Sequence, residues 1–306
     1  MRSYLELYKK NKLKKIKDTL WEKLKSCDTC PRNCKVNRIK GEVGFCKTKT
    51  KAIVSSYFLH FGEEPELVGR GGSGTIFFSY CSLGCLYCQN YTISHLGEGR
   101  EVDSEELAKM MLILQREGAE NINFVTPTHV VFQIIEALCI AIEEGLNLPL
   151  VYNCGGYESV DTLKMIEGVF DIYMPDIKYA DNKIAKKFSF APDYWKVVKE
   201  ATKEMHRQVN DLVIENGIAK RGLLIRHLVL PNRVADSFKI LDFIKEEISL
   251  HTYINIMEQY YPCYRAYEFK ELSRRITLDE YQEVIEYVKK LGFYRGFPLK
   301  GFPYPK

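Results

Sequence analysis

Thr75-Ile-Phe-Phe-Ser79-Tyr-Cys81-Ser-Leu-Gly-Cys85-Leu-Tyr87-Cys88 is the stretch that decides the reading of this chain. Residues 75–79 are a short run of β-branched and aromatic residues, the composition of a strand buried on both faces. Three cysteines follow at once in the pattern C-x3-C-x2-C, with an aromatic residue before the last. Three thiolates can hold three irons of an iron–sulfur cube and leave the fourth iron open to an exogenous small molecule. Four cysteines would complete a cluster, and a structural zinc site also wants four ligands. The competing reading is a zinc knuckle with His95 as the fourth ligand. Position weighs against it, because such knuckles stand on small hairpins and not at the top of a parallel strand.

Outward from this stretch, short apolar runs recur at 122–125, 148–153, 170–174, 223–230 and 253–257, each fitting a buried strand. Helical patterns lie between them. Asp103-Ser-Glu-Glu106 reads as a capping box ahead of Leu107, Met110, Met111 and Leu114. The stretches 130–144 and 159–167 end at Gly145 and Gly168, and 192–211, 234–247 and 278–291 complete the set. Strands alternating with helices imply parallel pairing with right-handed crossovers. Six units predict an α/β fold, a partial, open (β/α)6 TIM-like barrel with a small amino-terminal cysteine-rich segment. In such sheets the chemistry sits at the carboxyl ends of the strands, where the cysteine run begins. Gly69-Arg-Gly-Gly-Ser-Gly74 lacks the Gly-Lys-Ser/Thr of a phosphate loop and reads as a tight turn into the first strand.

The expected division is an amphipathic helix over 1–26, a cysteine-rich metal-binding segment over 27–72, the barrel over 73–265 and a helix and tail over 266–306. The tyrosine-rich stretch that leads into the tail (Tyr260, Tyr261, Tyr264, Tyr267) would cover the barrel or simply pack on it. With 46% hydrophobic and 27% charged residues the composition is that of a soluble globular protein. No apolar run approaches membrane-spanning length and the amino terminus lacks a secretory segment, so a cytoplasmic location is expected. A net charge of +4 is too small to argue for nucleic acid. The lysines between Lys9 and Lys17 alternate with apolar residues at helical spacing, as on a solvated helix face.

Seven of the ten cysteines fall in two groups. In a reducing compartment, clustered cysteines point to metal and not to disulfides. Cys139, in an apolar helical run, reads as an ordinary buried thiol. The amino-terminal group, Cys27, Cys30, Cys34 and Cys46, spaced C-x2-C-x3-C-x11-C, suits zinc or an auxiliary iron–sulfur cluster equally.

The cysteine motif after the first strand, with Tyr87 in the aromatic slot, resembles the signature of the radical S-adenosylmethionine (SAM) superfamily. More narrowly, Cys27-Asp-Thr-Cys30-Pro-Arg-Asn-Cys34, Gly41-Glu-Val-Gly44-Phe-Cys46, Asn121-Ile-Asn-Phe-Val-Thr-Pro-Thr-His129, Val151-Tyr-Asn-Cys-Gly-Gly-Tyr157 and Asp171-Ile-Tyr-Met-Pro-Asp-Ile-Lys178 resemble the pyruvate formate-lyase-activating-enzyme-related (PflX-like) group, from about residue 27 to about residue 265. The resemblance implies that Cys81, Cys85 and Cys88 hold a [4Fe-4S] cluster whose open iron binds SAM. Reductive cleavage would then give a 5′-deoxyadenosyl radical for hydrogen abstraction, with a flavodoxin or ferredoxin as electron donor. It places the backbone near Tyr87 at the adenine, Asn153 at the ribose or carboxylate, and Asp176 and Lys178 beside SAM. The usual Gly-Gly-Glu-like turn after the second strand is replaced by Thr126-Pro-Thr128-His129, so Thr126 and Thr128 are the candidates there, with His129 read as a capping or surface residue.

Arg226, inside an apolar strand, needs an anionic partner; the methionyl carboxylate and a neighbouring-strand carboxylate both qualify. His227 points the other way, toward a helix. The substrate is a protein, as for glycyl-radical activators, or a small molecule. A non-catalytic iron–sulfur carrier or zinc-binding module is the alternative outside enzymes.

Overall fold

A computed structural model describes residues 2–297; the end of the expected tail, 298–306, lies outside the described residues. Nine strands form its sheet: β1 (Ala52–His60), β2 (Ser73–Phe78), β3 (Arg100–Val102), β4 (Ile122–Val125), β5 (Leu150–Cys154), β6 (Ile172–Pro175), β7 (Val213–Glu215), β8 (Ile218–Leu228) and β9 (Tyr253–Met257). The six anticipated strands are β2, β4, β5, β6, β8 and β9, which pair in that order and all in parallel. Helices Ser104–Arg116, Val131–Glu143, Val160–Met165, Tyr194–Val209 and Ser237–Phe243 fill the crossovers. The result is the expected partial (β/α)6 barrel.

Three strands were not anticipated. β1 lies within the stretch read as cysteine-rich, runs antiparallel to β2, and carries β3 on its outer edge. Only its first half is buried, so a two-faced strand pattern is absent. β7 folds back on β8 through Asn216-Gly217, both at positive φ (53° and 80°). This is the Asn-Gly hairpin signal, and it starts β8 five residues before the predicted 223. The single helix expected over 1–26 is two, Ser3–Lys9 and Lys12–Lys23, broken where Asn11 takes a left-handed conformation at φ 55°. Asparagine tolerates that region better than most residues. Leu13 and Leu20 are buried, Trp21 rests on Phe132, and most of the lysines face outward. Among the described residues no helix is long and apolar enough to cross a membrane.

Alternation along the strands gives the barrel interior two layers. Val151, Ile172, Met174, Leu224 and Tyr253 form an apolar floor, closed by Leu67 from the β1–β2 connection. Two or four residues further along the same faces stand Asn153, Asp176, Arg226 and Met257, which line a cavity at the carboxyl ends of the strands. The outer faces pack into the main core beneath the helices. The connection that plugs the floor also sends Glu63 and Glu64 inward, so a segment outside the parallel repeats helps to build the cavity.

Candidate active site

The Cys81–Cys88 loop leaves the carboxyl end of β2 and crosses the barrel mouth. Cys85 is buried and Cys81 and Cys88 half-buried, and all three line a cavity of about 350 Å3. Each thiol has a donor: Leu83 N–H to Cys81 Sγ (3.3 Å), Ser189 Oγ to Cys85 Sγ (3.1 Å) and Ser94 Oγ to Cys88 Sγ (3.1 Å). Such bonds favour thiolates, the ligand form, against burial, which pushes all three thiols up. His95 is not poised as a fourth ligand. Its Nε2 donates to the Cys85 carbonyl (2.9 Å), and its ring stacks on Tyr264. Tyr87 is buried edge-on against Tyr179 and Tyr260. The carboxyl-terminal segment thus packs on the cysteine loop through Tyr260 and Tyr264, while Tyr261 and Tyr267 are exposed.

Opposite the cysteines, the strand-end residues form one network. Arg226 Nε donates to Asp176 Oδ1 (2.7 Å), its Nη2 to Asn153 Oδ1 (2.8 Å), and its Nη1 to Glu63 Oε2 (3.4 Å). Lys178 Nζ donates to Asp176 Oδ2 (2.9 Å). Arg226 therefore has carboxylate partners from β6 and from the β1–β2 connection. Burial raises the Asp176 carboxyl, but Arg226 and Lys178 outweigh it and hold the group below its usual value. Burial likewise disfavours the Lys178 ammonium, and Asp176 more than reverses this. These charged groups, with a neutral amide beside them, can bind a zwitterion, carboxylate toward Arg226 and amino group toward Asp176. The sequence reading missed Glu63, for which there was no local signal.

At the end of β4, Thr126 lines the cavity and sits at φ 62°, a strained conformation for a β-branched residue. Thr128 turns away from the cavity: its hydroxyl donates to Glu158 Oε1 (2.6 Å), and Tyr152 Oη donates to Oε2 (2.9 Å). Burial pushes the Glu158 carboxyl from 4.5 up to about 7 against these donors. A raised carboxyl pKa means stability from this group is present below about 4.5 and is lost as pH rises through about 7. Relative to wild type, Glu158→Gln is expected to gain stability between pH 5 and pH 8, by up to roughly 2 kcal/mol; thermal midpoints across that range check it.

A family model described as the radical SAM superfamily matches residues 75–219. The chain is also 33% identical over 276 residues to the uncharacterized protein MJ0674 of Methanocaldococcus jannaschii, covering 87% of this chain and 75% of that protein. This chain belongs to the radical SAM superfamily. A second protein of that organism, the uncharacterized MJ0808, is 24% identical over 281 residues, covering 83% of this chain and 78% of its own length. Among solved structures, native anSMEcpe with bound AdoMet and Cp18Cys peptide aligns with TM-score 0.47 and 13% identity, over 69% of this chain and 56% of that one. The same protein with AdoMet alone gives TM-score 0.48 and 11% identity, over 69% and 57%. Membership of the superfamily implies a [4Fe-4S] cluster and SAM as working groups, and the three thiols, facing charged side chains across the cavity, are a donor set that fits them.

The amino-terminal cysteine segment of this radical SAM chain docks directly on the Cys81–Cys88 loop. Arg32, between Cys30 and Cys34, donates to the carbonyls of Ser82 (2.7 Å), Leu83 (2.8 Å), Ser189 (2.8 Å) and Phe190. Phe45 covers the guanidinium at 3.8 Å and packs so close to Gly84 that an added Cβ would lie 2.8 Å from its ring. Losing these charge-assisted bonds, Arg32→Gln is expected to raise amide exchange over residues 81–88 at least about tenfold, read by mass spectrometry.

Cys27, Cys30, Cys34 and Cys46 line one small pocket, and His129 lines it with them. His129 is neither a cap nor a surface residue: it is 1% exposed, and burial pushes it down to about 4. Among the described residues, no group of three or more His, Cys, Asp or Glu is already set to hold a metal ion; a thiol turns toward a shared point by rotation about χ1. His227 lies on the outer face of β8, with its ring nitrogens on the Ile177 carbonyl and on Ser237 Oγ of the following helix.

Proposed function

We propose that Cys81, Cys85 and Cys88 hold the cluster, that SAM lies between it and the Asn153–Arg226–Asp176–Lys178 network, and that the hydrogen donor is a polypeptide. When bound, the reduced cluster supplies one electron that cleaves SAM to methionine and a 5′-deoxyadenosyl radical, which takes a hydrogen atom from the substrate. Within the superfamily the chain is assigned to the PflX-like group, on the motifs of residues 27–178. Division into a helical lead, a metal-binding segment, the barrel and a covering tail belongs to the same reading.

In this arrangement the methionyl amine and carboxylate would bind the open iron, with Arg226 facing the carboxylate and Asp176 accepting from the amine, while Arg226 and Lys178 keep Asp176 ionised. Thr126 offers its hydroxyl at the end of β4, and the Tyr87 backbone stands on the adenine side. Tyr87, Tyr179 and Tyr260 exclude water from the Cys85 side.

The observation that carries the choice of substrate is the cavity itself. Its volume, about 350 Å3, is in the range of a single small ligand, so SAM would fill it and the hydrogen donor would approach from the mouth. His60, Gln89 and Gln259 border it. The donor would therefore be a chain that reaches in, as a glycyl-radical-type loop does, and a flavodoxin or ferredoxin would supply the electron. The test uses extract from cells grown on deuterated medium, split by ultrafiltration into macromolecular and small-molecule fractions. Deuterium in 5′-deoxyadenosine is expected from the macromolecular fraction. Deuterium transfer from the small-molecule fraction alone would replace the polypeptide with a metabolite. The reading extends to metal at Cys27, Cys30, Cys34 and Cys46.

A further inference from the structure

We infer that this amino-terminal pocket is a mononuclear, zinc-type metal centre in which His129 of the barrel is a ligand beside Cys27, Cys30 and Cys46. The inference rests on the reading that these cysteines bind metal, and it narrows that reading in nuclearity and in ligand set.

The orientation of His129 is the first argument. Its Nε2 lies 2.8 Å from the carbonyl oxygen of Ser79. A carbonyl can only accept, so Nε2 carries the proton and Nδ1 carries the lone pair. That Nδ1 is buried and has no partner, and the ring lines the cysteine pocket. A buried acceptor without a donor costs stability, and a cation among the thiolates removes the cost. A carbonyl on the far nitrogen is also how metal-bound imidazoles are fixed in tautomer and angle.

Size is the second argument. The pocket holds about 10 Å3, room for a single water-sized sphere and too little for a cube of four irons and four sulfides. Gly44 shows how tightly the walls close, since an added Cβ there would stand 2.7 Å from Cys34 Sγ. Cys27, Cys30 and Cys46 are buried, whereas Cys34 is only half-buried. Arg38 is buried in the same wall, with Nη1 3.9 Å from Cys27 Sγ, and its charge offsets the excess of three thiolates over one divalent ion. Three sulfurs and one nitrogen make a familiar closed tetrahedral set.

The consequence is a staple. The ligands come from the amino-terminal segment and from the β4 turn, and the Ser79 carbonyl that orients His129 stands two residues before Cys81. The centre therefore anchors the segment whose Arg32 grips the Cys81–Cys88 loop.

Zinc K-edge absorption on the full-length protein, purified without oxygen, tests this, with zinc and iron counted per chain. About one zinc per chain is expected, with three sulfurs near 2.3 Å and one nitrogen near 2.0 Å. His129→Gln is expected to surrender zinc to a chelator at least about tenfold more readily, and Cys34→Ser to keep it. Four sulfurs without nitrogen, absence of zinc, or iron retained after Cys81, Cys85 and Cys88 are all changed to alanine would overturn the inference. If His129→Gln does not fold, the ligand shell of the wild type decides alone. None of these readouts depends on SAM cleavage, so failure of the radical chemistry and failure of this centre are told apart.

Discussion

Cys85→Ala is expected to abolish 5′-deoxyadenosine formation, with a loss of at least about a hundredfold, beyond the cost of altering an outer-shell partner of a metal site. Three cysteines on one loop are the smallest set that holds a cube and leaves one iron free. Removing the buried, central one would strip the proposed ligand and also the acceptor of the Ser189 hydroxyl. Iron counted per chain should fall in parallel. Cys139→Ser serves as the control, since Cys139 lies in helix Val131–Glu143 among its core residues. It should keep both iron and activity. Loss of activity with iron retained at the wild-type level would mean that Cys85 is not a ligand.

The second large effect is on stability. Asp176→Ala leaves Arg226 and Lys178 facing each other across the cavity wall without the carboxylate that pairs them. Removing one partner of a buried charge set costs about 3–5 kcal/mol. The low end, about 3 kcal/mol, is expected here because the cavity opens to solvent and Glu63 still faces Arg226. Urea unfolding measures it. Asp176→Asn keeps the shape and one acceptor oxygen and should lose less. Both variants should weaken SAM binding, read by calorimetry, because the methionyl amine loses the carboxylate that faces it. A variant as stable as wild type would mean that water already screens the network.

Much of the site could be read along the chain because its parts are strand ends. Asn153 closes an apolar strand run, Asp176 sits two positions past one and Arg226 interrupts one, where a parallel barrel collects side chains, and the structure brings them into one network. The C-x3-C-x2-C spacing needs no tertiary information at all. Arg32, Glu63, His129 and Glu158 were not legible in the same way. Their roles arise where segments far apart in sequence meet: Arg32 with Ser189, Glu63 with Arg226, His129 with the Cys27–Cys46 pocket. No local pattern distinguishes such a histidine from a helix cap. β1 was hidden for another reason, since a strand with exposed Tyr57 and Phe58 in its second half shows no clean alternation. The Asn216-Gly217 turn was legible, and reading it would have started β8 in the right place.

Electron paramagnetic resonance of the reduced, reconstituted protein, recorded before and after adding SAM, tests the central claim most directly. The account predicts a [4Fe-4S] signal that changes on addition of SAM, a change weakened by Asp176→Asn and absent with Cys85→Ala. A cluster signal indifferent to SAM, or one that persists at full strength without Cys81, Cys85 and Cys88, would contradict it.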